Sequence, residues 1–389
     1  STTDITTGNL SNPKKIVGTG PYLYQSGVGA SSNTVVWKKN PNWWAGSALG
    51  LKVGPQYVVD IKNGTNAAAL SNLFAGNIDL FNNFAPKSAI KGRFKTYFSS
   101  TPYHLGANTT WLFPNTTKKP LNDPKFRRAL ADSINIGQII DKSYQGLVNK
   151  ASATGLLPIW SKWIDKKVVA QNGFSYSPTK AKASLVAAGY KDTNGDGFVE
   201  NKDGSPIELS IVVPNGWSDW MTAIQVIADS AKQVGIKITP AYPDYATLVD
   251  DRGHGRFDLL VGNDRQMSNT PWTYYQYIYN LPIADNQTTM NYQRYTDQTA
   301  FALTQKLNRT PSTNTKAYQA ILTSLQKRFL QTLPAIPLWY NGMWSMVNTE
   351  YWTGWPSSSA NQYTPSSWRN YFQMTSIDML THLRPAKAD

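Results

Sequence analysis

The segment Val-Val-Pro-Asn-Gly-Trp-Ser-Asp-Trp, residues 212–220, ends an apolar stretch that begins at Ile207 and leads into a helical pattern over 220–234. A second apolar stretch follows at 236–239. This order predicts strand, helix and strand, the rhythm of an α/β sheet. The turn also holds two indoles and a carboxylate within four residues. Such a group suits a sugar ring that stacks on an aromatic face, although both indoles could instead be buried core anchors.

The same alternation recurs on both sides of this segment. A hairpin is predicted from the extended segment ending at Tyr24 and a return strand at 34–38. Further strands are predicted at 57–61, 78–81, 258–261 and 336–340, and helices at 67–74, 126–144, 178–188 and 317–331. Ser177 is the expected N-cap and Gly189 the expected stop of the third of these helices. The tail from Trp352 onward is predicted as loop.

The length of the chain requires more than one core. At 389 residues, two or more lobes are expected. The segment order predicts two α/β lobes with a mixed sheet each, hinged by crossing strands near 105–112 and 336–345. Lobe one is predicted at 1–108 with a return at 345–389, and lobe two at 109–344.

Composition excludes several classes of function. Charged residues make up only 16% and hydrophobic residues 41%, as in globular proteins, and no apolar run is long enough to span a membrane. The absence of cysteine excludes disulfides, thiol catalysis and cysteine metal sites. The lysines and arginines that give the net charge of +14 are scattered along the chain and form no continuous basic block, which indicates a solvated surface and no nucleic-acid partner. The 14 tryptophans and 21 tyrosines favour stacking chemistry.

Eight short motifs, in a fixed order over most of residues 16–340, carry a family resemblance. They are GTGPY (18–22), NPNWW (40–44), AGNIDL (75–80), DPKFRRAL (123–130), SPTKA (177–181), DTNGDG (192–197), GIKI (235–238) and FD (257–258). With them the chain resembles the extracellular solute-binding proteins of ABC importers, of the peptide and oligosaccharide (family 5) type.

The resemblance implies a fold, a location and a partner. The implied fold is the two-lobed, type II periplasmic-binding-protein-like α/β fold. Because family members carry a longer segment before the first motif, it also implies that the N-terminal part of lobe one is absent here. The implied protein is not an enzyme. It is extracellular or periplasmic, associated with the cell surface, and its partner is the transporter permease in the membrane.

The expected ligand is an oligosaccharide held between the lobes. Peptide-binding members tend to carry an aspartate after the Phe257-Asp258 strand, whereas the matching stretch 268–272 has no carboxylate. The segments 216–220 and 352–356 look like the cellobiose- and manno-oligosaccharide-binding branch. A neutral aromatic cleft suits a sugar better than a peptide, because a buried ammonium needs a paired charge.

Other functions stay open beside the oligosaccharide receptor. An oligopeptide receptor of the same fold is the first alternative. A polysaccharide hydrolase would need two facing carboxylates, for which Asp219 and Asp264 could be assigned. A structural surface component is the remaining alternative, and we expect no catalytic residue.

The predicted ligand contacts follow predicted strands, because open α/β lobes bind ligands at the carboxyl ends of strands. Three of them, Trp217, Asp219 and Trp220, lie in the predicted strand-to-helix turn. Trp111 lies at the first crossing, Trp272 in the loop after 258–261, and Asn341 and Trp344 at the return crossing.

One acidic loop has the oxygen spacing of a calcium site. Its candidate ligands are Asp192, Asn194, Asp196 and Asp203. The loop departs from the standard pattern, because the twelfth position is aspartate and a strand follows. The alternative is a tight hairpin whose aspartates cap backbone amides. No other cofactor is expected, since the three histidines are far apart.

Overall fold

A computed structural model describes residues 18–27, 33–263, 270–359 and 375–386. The chain divides into two compact units, here called unit 1 (Ser1–His104 with Met343–Asp389) and unit 2 (Leu105–Gly342). The sequence-based boundaries, 108/109 and 344/345, fall near these two crossings.

The first part of unit 1 is built on a small antiparallel sheet. Its strands, in order across the sheet, are β1 (Tyr22–Ser26), β2 (Thr34–Lys39) and β3 (Tyr57–Ile61). Two strands of another sheet follow in the chain, β4 (Leu80–Phe81) and β5 (Phe94–Thr96). Its helices are α1 (Trp44–Leu49), α2 (Asn66–Phe74) and a 3-10 turn at Lys87–Ala89. The predicted hairpin is confirmed, because β1 and β2 pair antiparallel with Tyr24 opposite Trp37.

Unit 2 holds a five-stranded mixed sheet. Its strands are β6 (Tyr103–Pro114), β7 (Leu209–Val212), β8 (Ile238–Ala241), β9 (Leu259–Gly262) and β10 (Ile336–Trp344). Their order across the sheet is β10-β6-β9-β7-β8. β7 runs parallel to both β8 and β9, whereas β6 is antiparallel to β9. Both crossings between the units occur within strands, in β6 and in β10.

Nine helices and a 3-10 segment accompany this sheet in the described part of unit 2. They are α3 (Pro124–Ser133), α4 (Ile136–Tyr144), the 3-10 segment Pro158–Trp163, α5 (Lys166–Asn172), α6 (Pro178–Ala187), α7 (Ser218–Lys232), α8 (Tyr245–His254), α9 (Trp272–Tyr279), α10 (Gln298–Arg309) and α11 (Thr315–Thr332). The predicted cap of α6 is confirmed, because the Ser177 hydroxyl accepts from the Lys180 amide. None of the helices in the described ranges combines the length and apolar character that a membrane crossing requires.

The chain then returns to unit 1. The last elements are β11 (Met346–Asn348), β12 (Trp352–Thr353), α12 (Thr375–His382) and β13 (Arg384–Pro385). β11 lies between β4 and β5, and Met346 joins an apolar cluster that includes Leu73, Phe81 and Phe94. β12, α12 and β13 lie in the tail from Trp352 onward, so the prediction that this tail is loop is wrong for these three elements.

The predicted helix 126–144 is two helices. Ile134 is extended, with φ of −77° and ψ of 119°, so the first helix ends there. The Asn135 side chain then accepts from the Gln138 amide and caps a new helix. Asparagine is a strong N-cap because its side chain satisfies an otherwise unbonded amide.

Candidate ligand-binding site

Three neighbouring strands of unit 2 end at the same edge of the sheet. β9, β7 and β8 are parallel, and Val212 pairs with both Ala241 and Leu260. Residues that directly follow these strands therefore lie across about 10 Å of sheet. The aromatic residues beyond the strand ends are Trp217 and Trp220 after β7, Tyr245 after β8, and Trp272 ten residues beyond the end of β9, and we call these four the aromatic edge.

A tight turn after β7 positions the two predicted indoles. Gly216 has φ of +82°, a left-handed conformation that favours glycine. The Asn215 amide donates to the Pro243 carbonyl at 2.9 Å, which ties this turn to the segment after β8. Trp217 is the N-cap of α7, and its ring meets that of Trp220 edge-on at 5.1 Å. The structure thus brings together two indoles that the sequence placed in one site.

The two indoles differ in accessibility. Trp220 is only 6% exposed and lies in the first turn of α7, so it has a core role as well. Trp217 is partly exposed. Asp219, in the same helical turn, is buried, and a carboxylate there is stabilised by the N-terminal end of the helix dipole.

Tyr245 completes the cluster, although the sequence reasoning missed it. Its ring stacks on that of Trp217 at 5.8 Å with an interplanar angle of 21°. Asp244 caps α8 by accepting from the Ala246 and Thr247 amides, at 3.0 Å each, and so fixes where Tyr245 stands. The available signal was its place directly after the predicted strand 236–239.

Trp272 and Asn341 also lie at the carboxyl edge of this sheet. Trp272 opens α9 and is half-buried, and its indole nitrogen has no hydrogen-bond partner among the described residues. Asn341 is half-exposed on β10. β10 runs opposite to β6, since the Ser345 amide donates to the Pro102 carbonyl. Its last residues therefore lie on the carboxyl side of β9, beyond Gly262, which pairs with Trp111. Asp264 lies outside the described residues.

Two further predicted contacts, Trp111 and Trp344, are buried. Trp111 is 1% exposed, because it lies on an inner strand of the sheet, β6, and neighbouring side chains cover its ring. Its ring packs on Phe113 and Tyr274, and the Gly155 backbone comes so close that a β-carbon there would lie 2.0 Å from the indole. Trp344 belongs to unit 1, where it is buried against Phe84 and Tyr103. Each of these indoles therefore has a packing role, as Trp220 does.

A second residue that the sequence reasoning missed is Asn108, on β6. Its side-chain amide donates to the Asn263 carbonyl at 2.8 Å, directly beyond the end of β9. The Asn108 side-chain oxygen is buried without a hydrogen-bond partner in the described part of the chain. No sequence pattern distinguished it from the other asparagines.

The predicted calcium ligands are not all brought together. Among the described residues, Asp192 and Asp196 bring carboxylate oxygens within 4.8 Å of Glu200 rather than of Asp203. Asp203 instead accepts from Ser205 and pairs with Lys119 at 3.2 Å.

The acidic loop is satisfied by its own chain. Asp192 accepts from the Gly195 and Gly197 amides, at 2.6 and 2.9 Å. The Glu200 carboxylate accepts from the amide and the hydroxyl of Thr193, at 2.7 and 2.8 Å. These are the bonds expected of the capped hairpin that was the alternative prediction.

A cavity of about 470 Å³ lies toward the opposite, amino-terminal edge of the sheet. Its charged side chains are already paired, with Lys202 at 2.6 Å from Asp123 and Lys119 at 3.2 Å from Asp203. The Tyr190 hydroxyl also donates to Asp123. A charged ligand would have to displace these partners, so the aromatic edge is the better candidate site.

Comparison with known proteins bears on both fold and family. The model of the bacterial extracellular solute-binding proteins, family 5 (middle), matches residues 4–286. A periplasmic oligopeptide-binding protein of an ABC transporter from Thermotoga maritima, solved with mannohexaose bound, is 34% identical with a TM-score of 0.92. The match covers 100% of this chain and 72% of that one.

Two further relatives are more distant. A probable ABC transporter-binding protein from Deinococcus radiodurans is 26% identical over 281 residues, which is 64% of this chain and 45% of the relative. The oligopeptide-binding protein AppA of Bacillus subtilis, solved with a nonapeptide, is 21% identical with a TM-score of 0.78 over 99% of this chain and 69% of that one. In the sequence alignments, the match spans 45% of the Deinococcus protein and 44% of AppA, which is less than half the length of each of these curated relatives. Its fold is that of the type II periplasmic binding proteins.

Proposed function

The chain belongs to the bacterial extracellular solute-binding proteins of family 5, and from this premise we propose that it is a receptor for a neutral oligosaccharide. In this proposal it acts outside the cytoplasmic membrane, performs no chemistry on its ligand and delivers it to the permease of an ABC importer. The observation that carries the proposal is the aromatic edge.

The aromatic edge offers what a sugar ring requires. Indole and phenol rings present flat apolar faces that can cover the C–H face of a pyranose, and Asp219 supplies an acceptor close by. The backbones at Trp217 and Tyr245 are held by a turn and a capped helix start, and their rings stack on each other, so less side-chain freedom remains to be lost on binding. The relative solved with mannohexaose supports the same class of ligand.

The charge distribution argues for a ligand without charge. Although the chain carries a net charge of +14, the segments after β7 and β8, residues 213–220 and 242–245, contain no lysine or arginine, and the sequence 263–272 after β9 contains one, Arg265. A ligand carboxylate or phosphate would therefore find no cation from the segments after β7 and β8. The Asp244 carboxylate is engaged in capping, through bonds to Ala246 and Thr247.

An oligopeptide is the second candidate. It is favoured by Asp219, a buried carboxylate at the same edge that could face a peptide ammonium, and by the relatives named as oligopeptide-binding proteins. A charged pair of this kind would make affinity depend on ionic strength, whereas stacking on a neutral sugar would not.

Isothermal titration calorimetry separates the two candidates. We expect mannohexaose or cellohexaose to bind and a mixture of oligopeptides not to bind, with a sugar Kd that is the same at low and high sodium chloride. Binding of peptides alone, with a Kd that rises with salt, would replace the oligosaccharide proposal by the peptide one. Turnover of a bound sugar, followed by chromatography of the products, would overturn the receptor proposal.

A further inference from the structure

We propose that Tyr245 forms an outer subsite, which stacks on a sugar ring at the end of an oligosaccharide longer than Trp217 and Trp220 can cover. This inference rests on the proposed function and adds a dependence on ligand length to it. Tyr245 lies after β8, the edge strand of the five-stranded sheet, so it is the outermost member of the aromatic edge.

The ring of Tyr245 is fixed on one side and open on the other. Trp217 covers one face, at 5.8 Å and nearly parallel. Tyr245 is nevertheless 55% exposed, so the exposed area belongs to the opposite face and the rim of the ring. Because the two rings stack on each other, the open face of Tyr245 points away from Trp217 and offers a separate flat apolar surface, one ring farther out than the indole.

Two restraints keep the tyrosine in this position without burying it. The Asp244 cap sets the start of α8 at Tyr245. The bond from the Asn215 amide to the Pro243 carbonyl, at 2.9 Å, couples the segment before Tyr245 to the turn that carries Trp217. An exposed aromatic side chain is common on protein surfaces, but here it is aligned in advance with the two indoles.

The inference makes the effect of Tyr245 depend on the number of sugar rings. Calorimetry would compare mannohexaose with the shortest manno-oligosaccharide, from mannobiose upward, that the unaltered protein binds. Tyr245→Ala is expected to weaken mannohexaose about tenfold, the size of one aromatic stacking contact, and to leave the short ligand unchanged. Tyr245→Phe should retain both affinities because it keeps the ring, and Trp220→Ala should weaken both ligands.

Tyr176 provides a matched control in the same unit. It is 40% exposed, and its hydroxyl donates to Gln233 at the far end of α7. The 15 residues of α7 separate that end from Trp217 by about 22 Å. Tyr176→Ala should therefore leave both affinities unchanged, and the melting temperature of each variant would report on folding.

The outcomes distinguish this inference from the function on which it rests. If the unaltered protein binds no manno- or cello-oligosaccharide, the proposed function fails and the outer subsite fails with it. If sugars bind but Tyr245→Ala changes neither affinity, or lowers both by the same factor, only the outer subsite is overturned. A loss confined to the longer ligand supports it.

Discussion

Truncation of Trp217 tests the aromatic edge most directly. Trp217→Ala removes the ring that meets both Trp220, at 5.1 Å, and Tyr245, at 5.8 Å. Two aromatic pairs at about 0.5–1.5 kcal/mol each give an expected loss of about 1–3 kcal/mol in the free energy of unfolding. A lost stacking contact with a sugar, valued by analogy with base–aromatic stacking at about 1–3 kcal/mol, raises the Kd about tenfold or more.

The assay must separate affinity from stability. Calorimetry with mannohexaose gives the Kd at a temperature where each variant is folded, and thermal unfolding gives the stability. Trp220→Ala is expected to weaken binding as well, but to lower the free energy of unfolding by about 3–5 kcal/mol, because that indole is buried.

Trp163→Ala is the matched control. Trp163 is about as buried as Trp220 and also packs on a tyrosine, with its ring 4.9 Å from that of Tyr318. Its loss should therefore reduce stability and leave affinity unchanged. If Trp217→Ala and Trp220→Ala lose stability while the Kd for every sugar stays at the unaltered value, both indoles are core residues and the proposed site is wrong.

Three further changes have definite expected results. Asp219→Asn keeps an acceptor but removes the charge, and it should weaken oligosaccharide binding by no more than about tenfold in calorimetry. If the ligand were a peptide whose ammonium pairs with Asp219, the same change would raise the Kd far more. Arg127→Met leaves the carbonyls of Leu121, Thr332 and Leu333 without their buried donor and should lower the free energy of unfolding by about 3 kcal/mol or more; an unchanged midpoint in urea would contradict this. Burial lowers the pKa of His104 to about 4, below its value in the unfolded chain. The unfolded chain therefore takes up a proton first as the pH falls, and the free energy of unfolding should decrease as the pH drops from about 6.5 to 4. His104→Phe should make the urea midpoints at pH 7 and pH 5 more alike, and an unaltered difference between them would count against this.

The sequence predicted the order of elements better than their environment. The strand 57–61 and the cap of α6 by Ser177 were local features, fixed by alternation and by one side-chain bond, and both are present. The break at Ile134 was also local, but the apolar spacing of 126–144 hid it. A capping asparagine at position 135 was the signal that could have found it.

The site was predicted only as far as its turn. Trp217 and Trp220 share one short segment, so their proximity follows from the chain itself. The burial of Trp111 depends on the strand order, which places β6 inside the sheet, and no local pattern encodes that order. The stacking of Tyr245 on Trp217 depends on the parallel pairing of β7 with β8, a contact between segments far apart in sequence.

The two edges of the unit 2 sheet differ in chemistry. At the amino-terminal edge charged side chains pair with each other, as Lys237 does with Glu208 at 2.6 Å and Lys118 with Asp258 at 2.7 Å. Asp258 also accepts from the amide and hydroxyl of Ser210, so its charge is used within the fold. At the carboxyl edge the segments after β7 and β8 supply rings and no basic side chain. Ligands of open α/β sheets bind beyond the carboxyl ends of strands. We therefore propose that the aromatic edge, and not the strongly basic composition, determines what this protein binds.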